Sequence, residues 1–171
     1  MHDIKIEHLQ LAISVAWQAR RHGNHPFGAV LVNEHDQVLL QAENTVMTGQ
    51  DVTGHAETNL VRLACQHFST EQLARFSLYT STEPCAMCAG AIYWGQIGRV
   101  VYALSEVDLY AIVGPSPEQL LLPCREVFAR SQRQVEVYGP VQALEIEARA
   151  VHEGFWRDDR SGRDAFCVSC S

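Results

Sequence analysis

Two short motifs in this chain carry residue types that can hold a metal and move a proton: His55-Ala56-Glu57 and Pro84-Cys85-Ala86-Met87-Cys88. Cys85 and Cys88 are three residues apart, so on a helix their sulfurs share one face. A helix start there also favours thiolate over thiol, and the thiolate is the form that ligates metal. His55 and Glu57 are two apart and do not share a face inside a helix, so both serve one site only from its first turn. One imidazole and two thiolates leave a fourth tetrahedral position open, the arrangement of a catalytic rather than a structural zinc. Two thiolates also cancel the formal charge of the ion. Proton traffic then needs a neighbouring acid, and Glu57 is the candidate.

The elements that must position these side chains are legible around them. Ser77-Leu78-Tyr79-Thr80 is short, apolar and aromatic like a buried strand, and Pro84 suits the first turn of the helix that follows. Thr53 and Gly54 stand just before His55, Thr being a common cap. The helix they open, residues 55–67, places Leu60, Leu63 and Ala64 on one side. Upstream, residues 4–21 carry Leu9, Ile13, Ala16 and Trp17 at helical spacing, and residues 27–32 and 37–42 read as a hairpin. Ser69 and Gln72 fit a capping box. Downstream, residues 99–103 are a strand and 104–117 read as irregular because Gly114, Pro115 and Pro117 interrupt them. Residues 123–131 read as helix, 134–138 as an edge strand and 141–156 as a last helix. Strands interleaved with helices predict an α/β chain, a three-layer α/β/α sandwich covered on both faces.

A chain of 171 residues with 47% hydrophobic and 19% charged content is ordinary for one globular domain, here residues 1–156 with a tail at 157–171. The formal net charge of −7 argues against a sequence-independent grip on nucleic acid. No apolar run approaches a membrane span, and residues 1–10 mix charge with single apolar residues, unlike a secretion signal. Six cysteines in such a chain favour reduced thiols and a metal site, so the expected compartment is cytoplasmic. Cys167 and Cys170 repeat the Cys-x-x-Cys spacing but lack two further ligands, and read as tail thiols or an adventitious disulfide. Cys65 and Cys124 sit in apolar surroundings and read as core or half-buried.

His55-Ala56-Glu57 with Thr82-Glu83-Pro84-Cys85-Ala86-Met87-Cys88-Ala89-Gly90-Ala91 resembles the cytidine and deoxycytidylate deaminase superfamily, in the branch of guanine, cytosine and tRNA-adenosine deaminases. His-x-Glu…Pro-Cys-x-x-Cys is the general zinc deaminase signature. The likeness covers residues 26–103 and much less of the C-terminal third. It implies a five-stranded mixed sheet between helices, one Zn2+ per chain held by His55, Cys85 and Cys88, and a homodimer or larger assembly. It also implies hydrolysis: water activated at zinc attacks the ring carbon that bears the amine, while Glu57 serves the ring nitrogen and the departing ammonia. The competing class is a zinc protein without catalysis. Glu57 argues against it, because a structural zinc has no use for a carboxylate beside an open position.

The resemblance leans to a guanine-type aminated base or nucleoside, on Pro26-Phe27-Gly28-Ala29-Val30 and Gly90-Ala91-Ile92-Tyr93-Trp94. Asn44 matches the asparagine with which members hold the base, and reads equally as a turn asparagine. Phe27 stacks on the ring or fills the strand core, and Ala56 joins them among the substrate contacts. Two departures stand out. The paired aspartates of guanine deaminases find no match, Glu106 and Asp108 being offset, and the terminal tyrosine of that branch is absent. Trp156 and Asp159 instead show a Trp-x-x-Asp spacing similar to the tail of fungal-type cytosine deaminase, where the tryptophan closes the pocket and the acid reads the amine. A capped helix end with solvated acids accounts for the same spacing. Cytosine or another aminated heterocycle is therefore the alternative substrate, and tRNA adenosine fits least.

Overall fold

The computed structural model describes residues 4–117 and 119–158. The chain opens with α1 (Ile6–Arg21), followed by the antiparallel hairpin β1 (Gly28–Val32) and β2 (Val38–Glu43). A single helical turn, α2 (Val46–Gly49), interrupts the loop before α3 (Ala56–His67). Then come α4 (Thr70–Leu73), β3 (Ser77–Thr82), α5 (Ala86–Trp94), β4 (Arg99–Leu104) and α6 (Glu106–Val113). The chain continues through α7 (Cys124–Ala129), β5 (Glu136–Tyr138), α8 (Glu145–Ala150) and α9 (Phe155–Asp158). Among the described residues five strands form one mixed sheet in the order β2-β1-β3-β4-β5, antiparallel from β2 to β3 and parallel from β3 to β5. This is the expected α/β sandwich.

Alternation along the strands divides the core in two. Leu31, Leu78 and Val100 face Leu60, Ala64 and Ile92 of α3 and α5. Val30, Tyr79 and Val101 face Leu9, Ala16 and Ala148 of α1 and α8. All five residues of β1 are buried, as a strand covered on both faces should be. No helix among the described residues is long and apolar enough to cross a membrane.

Four expectations are corrected. Residues 104–117 are not irregular, because α6 occupies most of them. Ser105 caps it, its Oγ accepting from Asp108 N at 3.1 Å, and Gly114 at φ +81° ends the helix rather than preventing it. Residues 141–156 are not one helix, since a 3-10 turn (Gln142–Leu144), α8 and α9 divide them, with Gly154 at φ +72° turning the chain. The buried stripe of α3 is Glu57, Leu60, Val61 and Ala64, spaced i, i+3, i+4, i+7, while Leu63 lies on the outer side. Cys124 is buried as expected, but Cys65 is exposed.

Gly28 is where α1 meets the sheet. A Cβ added there would stand 2.5 Å from Ala16 N and 2.7 Å from Val15 Cβ, and would also collide with Ala12 O. Helix backbone cannot yield as a side-chain tip does. Gly28→Ala should therefore destabilise the fold by about 1–3 kcal/mol, seen as a lower urea midpoint with an unchanged m-value.

Candidate active site

The site forms where α3 and α5 begin. His55 is the N-cap of α3, with extended backbone (φ −68°, ψ 152°), and Glu57 follows in the first turn. Cys85 caps α5 with φ −64° and ψ 171°, and Cys88 lies one turn on, so both sulfurs face the same way. Pro84 thus precedes the cap instead of opening the helix. Thr53 does not cap α3 with its side chain, its carbonyl instead accepting a hydrogen bond from the Thr58 hydroxyl. The strands fix the separation of these two corners, because β3 leads directly into Cys85 and α3 packs across β1 and β2.

His55 Nδ1 lies 3.6 Å from Cys85 Sγ and 3.5 Å from Cys88 Sγ. A tetrahedral zinc with Zn–S near 2.3 Å and Zn–N near 2.0–2.1 Å separates a nitrogen and a sulfur ligand by roughly 3.6 Å. All three ligand atoms fall within 4.8 Å of one another. Spacing and donor set fit a single Zn2+. Glu57 borders this triad, with Oε2 3.4 Å from Cys88 Sγ and Oε1 accepting from the Thr80 hydroxyl at 2.7 Å.

The electrostatics are those of a charge cluster kept from water. A hydrogen bond from Cys88 and then the His55 imidazole bring Cys85 down to about 4, and the proton the pair shares stays on Cys88, whose pKa is raised. Burial pulls His55 down, but the Cys85 hydrogen bond and charge outweigh it and leave it raised. Glu57 is 4% exposed, and its burial lifts it above the usual carboxylate range against the pull of Thr80.

Beside the triad opens a cavity of about 180 Å³. Its floor is His55, Glu57 and Cys85, and its walls include Phe27, Glu83, Glu106, Tyr110 and Trp156. Phe27 and Trp156, expected from the sequence, meet here with ring centroids 6.1 Å apart. Asn44 and Ala56, also expected, are fully buried but do not line the cavity. Asn44 Oδ1 accepts from Val46 N at 3.0 Å, and its Nδ2 has no partner within the protein. Asp159, Cys167 and Cys170 lie outside the described residues.

Two contributors are not assigned to the site by the sequence: Glu106, which stands there only as offset from an aspartate pair, and His152. Glu106, 3% exposed, accepts from the Tyr110 hydroxyl at 3.1 Å, and burial pushes it up to about 7. Its neighbour Asp108 is instead tied to Arg149 at 2.6 Å. The Ser105-x-x-Asp108 spacing was the readable sign of this helix. His152 is the other. Trp156 Nε1 donates to its Nδ1 at 3.4 Å and the rings stack with planes 16° apart, which leaves Nε2–H to point at Thr82 Oγ1, 3.4 Å away. Arg20 fixes the same segment through the carbonyls of Val151 and Glu153 at 2.7 and 2.9 Å.

Residues 3–104 match the family model for the cytidine and deoxycytidylate deaminase zinc-binding region. A probable cytosine deaminase of Schizosaccharomyces pombe is 42% identical over 157 residues, 91% of this chain and 94% of that protein. A guanine deaminase of Bacillus subtilis is 41% identical over 101 residues, covering 58% of this chain and 64% of its own length. Among solved structures, a tRNA:A34 deaminase superposes with a TM-score of 0.69 at 29% identity, covering 86% of this chain and 99% of that one.

Two outcomes follow from this geometry. Glu57→Gln should keep one zinc per chain by metal analysis while losing roughly 10²–10⁴-fold in turnover, the usual contribution of a general acid–base. Burial, helped by the Arg20 charge, holds His152 down at about 3. The unfolded chain protonates this residue near the ordinary histidine value, so acidification between there and about 3 favours unfolding. His152→Gln should flatten that part of the stability–pH curve.

Proposed function

Because this chain belongs to the cytidine and deoxycytidylate deaminase family, we propose that it hydrolyses the exocyclic amine of a free base of the cytosine type, releasing ammonia. The observation that carries this is the cavity beside the triad. About 180 Å³ is the liquid volume of roughly six waters, the scale of one heterocyclic base. Trp156 and Phe27 supply flat apolar walls for such a ring. Likeness to the S. pombe protein over nearly the whole of both chains supports the same assignment.

His55, Cys85 and Cys88 would hold the zinc. A zinc ion in such a site supplies Lewis-acid activation of water, bringing its pKa towards neutrality. Glu57 does the proton work. Its carboxylate takes a proton from the attacking water and delivers it to the ring nitrogen next to the reacting carbon. It then takes the second from the hydroxyl now on that carbon and carries it to the amine as the C–N bond breaks and the carbonyl forms. A carboxyl with a raised pKa suits both directions of transfer. Thr80 steadies Oε1, while Oε2 lies beside Cys88 at the metal corner. Asn44, the base contact that the resemblance offers, keeps a buried Nδ2 without a partner but stands off the cavity wall, so it is given no part in this step.

A guanine-type base is the second reading, favoured by the B. subtilis relative and by the motifs around Phe27 and Trp94. The acidic charge of the chain weighs against nucleic acid, yet the A34 deaminase likeness puts a tRNA arm into the test.

Ammonia release should be measured from cytosine, guanine, isocytosine, common nucleosides and an anticodon stem-loop RNA. Cytosine is expected to lead. Turnover of guanine alone would install the second reading, RNA alone would make the chain a tRNA enzyme, and zinc without turnover would leave a non-catalytic protein. Trp156→Ala should raise KM for the base roughly tenfold or more, as loss of base stacking does.

A further inference from the structure

The polar groups of the cavity wall are mostly committed. Glu57 faces Thr80 and Cys88. Both oxygens of Glu83 accept backbone N–H groups, Oε1 from Cys124 at 3.2 Å and Oε2 from Glu106 at 3.1 Å. Gln119 Nε2 donates to Gly114 O at 2.7 Å. Glu106 is different. One oxygen takes the Tyr110 hydroxyl at 3.1 Å, and a carboxylate holds about four acceptor sites. Its second oxygen has no hydrogen bond among the described residues, and Glu106 lines the cavity beside Leu109 and Val113.

We propose that Glu106, aimed by Tyr110, is a substrate-reading residue that accepts a hydrogen bond from the exocyclic amine of the base. The inference rests on the deaminase reading and adds a discrimination to it. Hydrolysis replaces an amine, which donates, with a carbonyl, which accepts. A carboxylate welcomes the first and repels the second, so the same wall that holds the substrate loosens the product. Tyr110 spends its proton on Glu106 and therefore offers the ligand no donor of its own. Asp108, two residues along the helix, is neutralised by Arg149 and takes no part.

The test is calorimetric binding to the full-length, zinc-loaded Glu57→Gln protein at mildly alkaline pH, where no turnover confuses the readout. Cytosine should bind about tenfold or more tighter than uracil, the scale set by one charge-assisted hydrogen bond. Adding Glu106→Gln, whose amide both donates and accepts, should bring the two affinities close together without changing zinc content or the urea midpoint. Tyr110→Phe should reduce the preference partway, and carries the test alone if the Glu106 variant does not fold. An unchanged cytosine-to-uracil ratio in both variants overturns the role of Glu106 and leaves the deaminase reading standing. If guanine binds and cytosine does not, the cytosine assignment falls, and guanine against xanthine becomes the same comparison for Glu106. Absence of binding by any base overturns both.

Discussion

Two sulfurs and an imidazole nitrogen are packed into a triad with nitrogen–sulfur edges of 3.5–3.6 Å, and a buried carboxylate borders them. Like charges this close do not coexist in a dry interior unless a cation or shared protons offset them. The rest of the fold answers that constraint. α3 and α5 both point their positive ends at the cluster, so backbone dipoles contribute where side chains alone would repel. The parallel β3–β4 pair, with α5 as its crossover, brings Cys85 to the C-terminal end of the sheet's central strand, and the buried stripe of α3 starts at Glu57 itself. Glu57 is thus anchored by the same packing that anchors Leu60, Val61 and Ala64.

The sheet separates labour between its faces. The helices that carry the metal ligands pack on one side, while α1 and the segment leading to α9 come from the other and deliver Trp156 over Phe27. Their meeting point is held by short contacts in series. Arg20 binds two carbonyls just before α9, and its guanidinium sits 5.6 Å from the Phe155 ring. His152 joins Trp156 to Thr82 of β3, the strand that ends at the metal corner. Trp156 and Cys85 are thus both linked to β3.

Local signals made the triad and Glu57 legible in the sequence. Two helix starts and two short spacings, at 55–57 and 85–88, required no knowledge of distant contacts. The sheet was legible too, because strands covered on both faces read as unbroken apolar runs. The cavity wall was not. Pro115 and Pro117 drew attention to a break and hid the helix before it, although Ser105 and Asp108 marked its start. Glu106 gave no sign of its role because burial, not residue type, makes it a site residue. Leu63 and Val61 exchanged places because both satisfy a helical period, and only the neighbours decide which faces inward. His152 depended wholly on a tertiary partner.

Glu83 joins three parts of the molecule. Its backbone N–H bonds to Leu104 O at the end of β4, while its carboxylate receives the leading amides of α6 and α7. One side chain, two positions before Cys85, therefore holds the first turn of α6 and the first turn of α7. Such a staple sets the launch direction of both helices from one point, so a change at position 83 would be felt in the wall that α6 lends to the cavity as much as at the sulfurs.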